Sequence, residues 1–149
     1  MNSLVVPIVK LNPHARIPQS AYKGDAGYDL YATEELILQP FSRALIPTGI
    51  AIEIPEGYAG LVVPRSGLAI KQGLSVVNAP GLIDSNYRGE LKVIAINLDK
   101  DVPIHLSVGD RIAQLVITPV ASASFQEVDS LSTSEREEGG FGSSGINSQ

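Results

Sequence analysis

The sequence has no cysteine and no tryptophan, and aromatic residues make up only 5% of its 149 residues. Without cysteine, neither a disulfide bond nor a thiolate metal site can form, so the fold does not depend on the redox state of its compartment. With so few aromatic side chains, the core must be built from valine, isoleucine and leucine. One domain is the simplest arrangement for a chain of this length.

Two longer patterns are also missing. No stretch approaches the roughly eighteen consecutive apolar residues of a membrane-spanning helix, and residues 1–7 lack the apolar region of a signal peptide. The net charge is −5 and the basic residues are dispersed, which argues against general affinity for nucleic acid. We therefore expect a cytoplasmic protein with no membrane and no nucleic acid partner. A small anionic ligand would need only a few arginines or a metal ion.

Short apolar runs separated by turn residues occupy most of the chain, which also contains 14 glycines and 10 prolines. Several runs alternate apolar and polar residues, the period of a half-buried strand. About ten short strands at this spacing predict an all-β domain, either a distorted jelly roll or a β-barrel-like fold. The predicted strands are residues 4–9, 28–31, 36–38, 43–47, 50–54, 59–63, 75–78, 91–97, 104–106 and 112–120.

One short helix is expected after the strand at 59–63. Ser66 is a suitable N-terminal cap, residues 67–72 would form the helix, and Gly73 is placed to end it. Because the first N–H groups of a helix are unpaired, its start attracts anions, and Arg65 beside it strengthens that interpretation. A purely structural capping role for Ser66 is the alternative.

The composition changes near residue 129. We expect residues 1–128 to form the β domain and residues 129–149 a flexible tail, because the tail has too few large apolar side chains to order itself. Within it, residues 139–145 are rich in glycine N–H groups and hydroxyls that can wrap phosphate oxygens. Phe141 is a lone ring suited to stacking on a base. A flexible linker is the alternative for this stretch.

Residues 81–90 place the carboxylate of Asp84, one aromatic ring and two glycines between the apolar runs 76–78 and 91–96. This pattern predicts a β-hairpin with a wide polar tip. Backbone groups at such a tip would have no strand partner and would be free to bind a flat ligand, with Tyr87 as a wall and Asp84 as a base. Taken alone, these residues also suit an ordinary turn.

Two further segments carry polar groups next to predicted strands. In residues 109–115, strand alternation puts Arg111 and Gln114 on opposite faces, so that one of them would be buried or belong to a site. An ordinary turn and strand edge is the alternative. Asp29, within a short strand, is either a solubilising charge at an edge or part of a metal shell.

Together, these segments resemble the five ordered motifs of the homotrimeric dUTPases, the deoxyuridine triphosphate nucleotidohydrolases. The resemblance covers nearly the whole chain, in the family's order and spacing. The matching segments are residues 26–30, 64–69, 81–90, 109–115 and 136–145.

For the hairpin, the resemblance implies that Asp84 is the general base. It would take a proton from water attacking the α-phosphorus of dUTP, which gives dUMP and pyrophosphate, lowers dUTP and supplies the precursor of dTMP. Tyr87 would lie under the deoxyribose and exclude a 2′-hydroxyl. The uracil would be read, and a 5-methyl group excluded, by Asn78 and the backbone of Leu82, Ile83 and Asp84, with Lys92 also contacting the nucleotide.

For the phosphates, the resemblance implies a second group of residues. The α- and β-phosphates would be held by Arg65, Ser66, Gly67 and Gln114. Asp29 would bind a water of Mg²⁺ rather than the metal itself, since magnesium tends to keep its waters and bind through substrate phosphates. Arg111 would hold a neighbouring carboxylate.

The tail would close as a lid over bound triphosphate, with Phe141 stacked on uracil. Around the γ-phosphate would lie Arg136, Gly142, Ser143 and Ser144. The family usually has glycine after its arginine, but this chain has Glu137 followed by Glu138, and both carboxylates should weaken the field of Arg136. Ser144 replaces a more frequent threonine and keeps the hydroxyl.

The resemblance also implies a homotrimer with composite sites, in which one chain supplies the hairpin, another the phosphate-binding residues and a third the tail. Two alternatives stay open. A deoxycytidine triphosphate deaminase of the same fold would need an additional acid near the hairpin, and Tyr87 and the intact tail favour the hydrolase. A catalytically silent trimeric binding protein is the other, and Asp84, Arg65 and Gln114 argue against it.

Overall fold

The structure, a computed structural model, describes residues 3–147, in which eleven β-strands and one short helix are found. All strand pairs are antiparallel. In chain order the elements are β1 (Ile8–Lys10), β2 (Tyr28–Tyr31), β3 (Leu36–Leu38), β4 (Arg43–Pro47), β5 (Ile50–Ile52), β6 (Tyr58–Val63), α1 (Ser66–Gln72), β7 (Leu74–Val76), β8 (Gly81–Ile83), β9 (Lys92–Asn97), β10 (Ile104–Leu106) and β11 (Arg111–Pro119).

The strands form four small sheets around one core. The largest has the order β2-β11-β6-β8, the second β4-β9-β7, and two pairs join β1 to β5 and β10 to β3. One cluster of buried side chains includes Leu30, Leu38, Ile46 and Ile50, which come from the four different sheets. The prediction of an all-β, jelly-roll domain with an aliphatic core and one short helix is therefore confirmed.

The predicted hairpin is present, but its tip is more ordered than expected. β7 pairs with β9, and the chain between them forms a strand of its own, β8. Residues 81–83 pair with residues 60–62 of β6. The expectation that the tip's backbone has no strand partner was wrong for this part, because a strand that is distant in sequence binds it. β8 lies at the edge of its sheet, so its outer side has no strand neighbour within the described chain.

A buried amide links β9 to the loop that follows it. Asn97 is fully buried, and its Nδ2 donates to the carbonyls of Leu38 at 3.0 Å and Val102 at 2.9 Å. Its Oδ1 accepts the N–H of Asp99 at 2.9 Å. Within residues 3–147, no buried side-chain nitrogen or oxygen lacks a partner. Backbone N–H groups of Asp101 and Val102 bond the Asp99 carboxylate and lower its pKa below the ordinary value.

The start of α1 differs from the prediction. Arg65, in an extended conformation, is the N-cap and makes no side-chain capping bond, so Ser66 is the first helical residue rather than the cap. The cap is set one residue earlier because the N–H of Ala69 bonds the Arg65 carbonyl at 3.0 Å. Gly73 ends the helix as predicted, in the left-handed conformation with φ 70° that glycine adopts without strain.

The chain beyond β11 has no strand or helix between residues 120 and 147, only turns and bends. The division into a β domain at 1–128 and a flexible tail at 129–149 stays a prediction. Within the described residues, no helix has both the length and the apolar character needed to cross a membrane. The cytoplasmic location also stays a prediction.

Candidate active site

Asp29 lies on β2 between two arginines, one from the end of β6 and one from the start of β11. Its Oδ1 is 3.0 Å from Nε of Arg65, which follows β6, and its Oδ2 is 3.7 Å from Nη1 of Arg111 at the start of β11. The Asp29 side chain is only 13% exposed, so its charge is partly desolvated and both arginines compensate it. The cluster places two cations and one anion near the N-terminus of α1.

An irregularity in β11 makes this cluster possible. Between Arg111 and Ala113 the pairing with β2 slips by one residue, and both Ile112 and Ala113 are buried. Such a bulge reverses the alternation of faces. Arg111 and Gln114 therefore lie on the same side, near Asp29, and the prediction from strand parity that they face opposite ways was wrong.

Gln114 occupies space that any side chain on Gly27 would fill. A Cβ atom at Gly27 would lie 2.9 Å from Cδ of Gln114 and would overlap its Oε1. The amide Nε2 of Gln114 donates to the carbonyl of Pro64 at 3.0 Å. Gly27 thus lets β2 approach the Gln114 amide closely, and the Pro64 bond fixes that amide next to Arg65.

A concavity of about 590 Å³ opens over this group. Its walls include Asp29, Arg65, Ser66, Gly67 and Gln114, all of which the sequence had assigned to phosphate or metal binding. Lys71, one helical turn after Gly67, also lines it and was not predicted. The signal was available, because residues four apart in a helix lie on the same face.

The loop between β8 and β9 carries Asp84 and Tyr87. The N–H of Tyr87 bonds the Asp84 carbonyl at 3.1 Å, which closes a turn, and the Tyr87 hydroxyl donates to the carbonyl of Glu90 at 3.0 Å. The ring lies directly over Gly89, where a Cβ atom would be 2.6 Å from the ring carbon Cζ. The aromatic wall is therefore held in place by its own loop.

A second concavity, of about 470 Å³, lies beside this loop. Among its walls are Leu82, Ile83, Asp84, Tyr87 and Lys92. Asn78, the remaining predicted uracil contact, lies at the other end of β8, where its amide nitrogen would be 3.4 Å from a Cβ atom at Gly81.

The two concavities have no lining residue in common. The residues assigned to phosphate binding thus surround one, and most residues assigned to the nucleoside surround the other. A single chain therefore presents two distinct concavities, which we call the phosphate half-site and the nucleoside half-site after the contacts predicted for each.

The described part of the tail forms local turns of its own. The Ser134 N–H donates to the Glu137 carboxylate at 2.9 Å and the Glu137 N–H to the Ser134 hydroxyl at 3.1 Å, while Arg136 bonds the carbonyl of Gly139. Phe141 is fully exposed. Glu137 adopts φ 48°, the left-handed conformation that favours glycine. Its carboxylate accepts the Ser134 N–H, and no ion pair between Glu137 and Arg136 is found among the described residues. The weakening of the field of Arg136 stays a prediction.

Comparison with known proteins assigns the chain. The family model for dUTPase matches residues 13–145. The chain belongs to the dUTPase family. The match includes all five of the segments on which the resemblance was based.

Relatives and solved structures extend the agreement. Deoxyuridine 5'-triphosphate nucleotidohydrolase of Leifsonia xyli is 55% identical over 130 residues, 87% of this chain and 86% of the relative. That of Thermobifida fusca is 54% identical over 140 residues, 94% of this chain and 78% of the relative. The dUTPase of Staphylococcus bacteriophage 80alpha with dUpNHpp has a TM-score of 0.88 at 34% identity, over 97% of this chain and 100% of that one. A mutant dUTPase of phage phi11, described with a structural Mg(II) ion, has a TM-score of 0.79 at 30% identity, over 85% and 98%.

Proposed function

We propose that this dUTPase-family chain hydrolyses dUTP to dUMP and pyrophosphate, with Asp84 as the general base. The observation that carries the proposal is the exposed Asp84 carboxylate, which lies beside the Tyr87 ring in a concavity on a hairpin loop. A base must come within about 2.6–3.2 Å of the oxygen whose proton it removes, and an exposed carboxylate at the wall of a ligand-sized concavity can do so.

The reaction balances as a hydrolysis. A water molecule gives one proton to the Asp84 carboxylate while its oxygen bonds to the α-phosphorus. The bond from that phosphorus to the oxygen bridging the β-phosphate breaks, and pyrophosphate leaves. Nucleotide monophosphate remains, and Asp84 returns its proton to solvent.

The nucleoside half-site supports a deoxyuridine substrate. Alternate residues of β8 direct their backbone N–H and C=O groups away from β6, and at this outer edge those groups have no strand partner in the described chain, which suits hydrogen bonding to a flat base. Asn78 and Lys92 would add side-chain contacts, and the Tyr87 ring would pack under the sugar. A 2′-hydroxyl would collide with a ring that its own loop holds in place.

The phosphate half-site supports a polyphosphate substrate. Arg65, Ser66 and Gly67 with Gln114 would bind the α- and β-phosphates, since the guanidinium and the amide already lie at the wall of the same concavity. In this structure Arg65 forms an ion pair with Asp29, and Arg111 forms a second one with the same carboxylate. Arg111 thus keeps the carboxylate neutralised when Arg65 turns to phosphate.

Magnesium fits this site as a companion of the substrate. Within the described residues, no group of three or more acidic, histidine or cysteine side chains could cage a metal ion. Two carboxylates, those of Asp25 and Asp29, line the concavity, and an oxygen of Asp29 could accept a hydrogen bond from a metal-bound water. When bound, Mg²⁺ would neutralise phosphate charge, and the ion would be held mainly by the phosphates and its waters.

The tail and the assembly complete the proposed site. Phe141 would stack on the base and the γ-phosphate would be bound by Arg136, Gly142, Ser143 and Ser144. Because the two half-sites of one chain share no lining residue, we assign the complete site to a homotrimer in which neighbouring chains supply the halves and the tail. Sedimentation equilibrium measures the number of chains.

The test combines substrate, isotope and variant. Purified protein should release pyrophosphate from dUTP far faster than from dTTP, UTP or dCTP, and ¹⁸O from labelled water should appear in dUMP. Asp84→Asn should retain affinity for dUpNHpp and lose most turnover. Label in pyrophosphate, or normal turnover by Asp84→Asn, would overturn the mechanism. Conversion of dCTP to dUTP would indicate a deaminase.

A further inference from the structure

Arg88 has no role in the proposed binding of dUTP, but its side chain makes several hydrogen bonds within the loop that carries Asp84. Its Nη1 donates to the carbonyls of Ser85 at 2.6 Å and Tyr87 at 3.1 Å. Its Nη2 is 3.3 Å from the carboxylate of Glu53. A planar guanidinium can make such contacts at once because its donors form a rigid fork.

These contacts connect the loop to the body of the domain. Glu53 directly follows β5, and its N–H donates to the carbonyl of Pro7 at 2.9 Å, so its backbone is anchored. Arg88 therefore reaches from a fixed point on the β domain to two peptide groups on either side of Asn86. The loop between β8 and β9 has no other side chain in ionic contact with the domain among the described residues.

The position of the Asp84 carboxylate depends on that backbone. In the described chain, no hydrogen bond or ion pair to the Asp84 side chain is found, and the bond from the Tyr87 N–H is made to the Asp84 main-chain carbonyl. Since the carboxylate has no partner of its own, the backbone of the loop sets the position of Cα and Cβ and so the region that the carboxylate can reach. Displacing a reacting group by about 1 Å can cost on the order of 100-fold in rate.

We propose that Arg88 is a positioning residue for the hydrolysis of dUTP, which fixes the loop so that Asp84 meets the attacking water. The proposal rests on the proposed function, in which Asp84 is the base. Arg88 and Glu53 are 54% and 58% exposed, and exposed ion pairs contribute little to stability. Loss of Arg88 therefore affects turnover much more than folding.

The experiment compares three arginine variants in the full chain. Arg88→Ala should lower kcat roughly 10- to 100-fold, with the Kd for dUpNHpp changed less than about threefold and the melting temperature nearly unchanged. Arg88→Lys should recover part of the loss, because an ammonium can still donate to the two carbonyls. Arg43→Ala is the control: it removes an exposed arginine from β4, outside the proposed site.

Combining Arg88→Ala with Asp84→Asn separates this inference from the proposed function. Arg88→Ala should add little further loss to Asp84→Asn, since its effect acts through that carboxylate. Normal turnover by Asp84→Asn alone would refute the function itself. The positioning role is overturned if Asp84→Asn is inactive while Arg88→Ala keeps the wild-type kcat. It is equally overturned if Arg88→Ala lowers kcat only in step with nucleotide affinity or melting temperature, or if the two losses multiply.

Discussion

Replacing Gly89 by alanine is the most direct test of how the aromatic wall is held. A Cβ atom would lie 2.6 Å from Cζ and 3.0 Å from Cε2 of Tyr87, whereas carbon atoms prefer separations of about 3.5 Å or more. The ring must therefore move by about 0.9 Å, the difference between these distances. Gly89 does not have a positive φ, so alanine adds no backbone strain.

The consequences for stability and for function differ. Moving the ring breaks the bond from the Tyr87 hydroxyl to the Glu90 carbonyl, a loss of about 0.5–1 kcal/mol at an exposed position. The protein should therefore stay folded. A ring displaced by nearly 1 Å from the sugar should lower kcat/KM for dUTP roughly 10- to 100-fold and reduce the preference for dUTP over UTP.

Steady-state kinetics with dUTP and UTP measures both effects, and thermal melting checks the fold. Tyr87→Phe is the matched control, because it removes only the hydroxyl bond and leaves the ring over Gly89. It should keep most of the preference for dUTP. Wild-type rate and selectivity in Gly89→Ala would refute the idea that the missing Cβ positions the wall.

Two further predictions concern the stability of the β domain and the role of the tail. Asn97→Ala should destabilise the domain by about 3 kcal/mol, because three hydrogen bonds to backbone groups, one buried and two partly buried, are lost at about 1 kcal/mol each. A loss below about 1 kcal/mol in urea unfolding would contradict this. Truncation after Ser134 should remove most dUTP turnover and leave the melting temperature nearly unchanged, since no residue between 120 and 147 belongs to the buried core. An unchanged rate of pyrophosphate release would discard the lid and the stacking role of Phe141.

Much of the fold could be predicted because strand signals are local. All ten predicted strands overlap observed ones, and the end of α1 at Gly73 follows from the backbone conformation that glycine adopts easily. β8 was not predicted, because its three residues are too few to show the alternation of apolar and polar side chains that indicates a strand. Its existence depends on β6, some twenty residues earlier.

The candidate site was predictable as a set of residues but not as an arrangement. The motif resemblance named Asp29, Arg65 and Gln114 individually, and the structure brings them to one concavity. Arg111 reaches Asp29 as well only because of the bulge in β11, which puts Arg111 on the same face as Gln114, whereas alternation predicts opposite faces. Alternation assumes an unbroken ladder, and a bulge is decided by the partner strand.

The sequence by itself determined the class of fold, the aliphatic core and the order of the five motifs, because these depend on residue type and on spacing along the chain. Only the tertiary structure decided that the motifs form two separate half-sites, that Gly27 makes room for Gln114, and that Arg88 braces the loop of Asp84. Such relations join residues distant in the chain or fix the direction of a side chain. Packing, rather than local pattern, sets both.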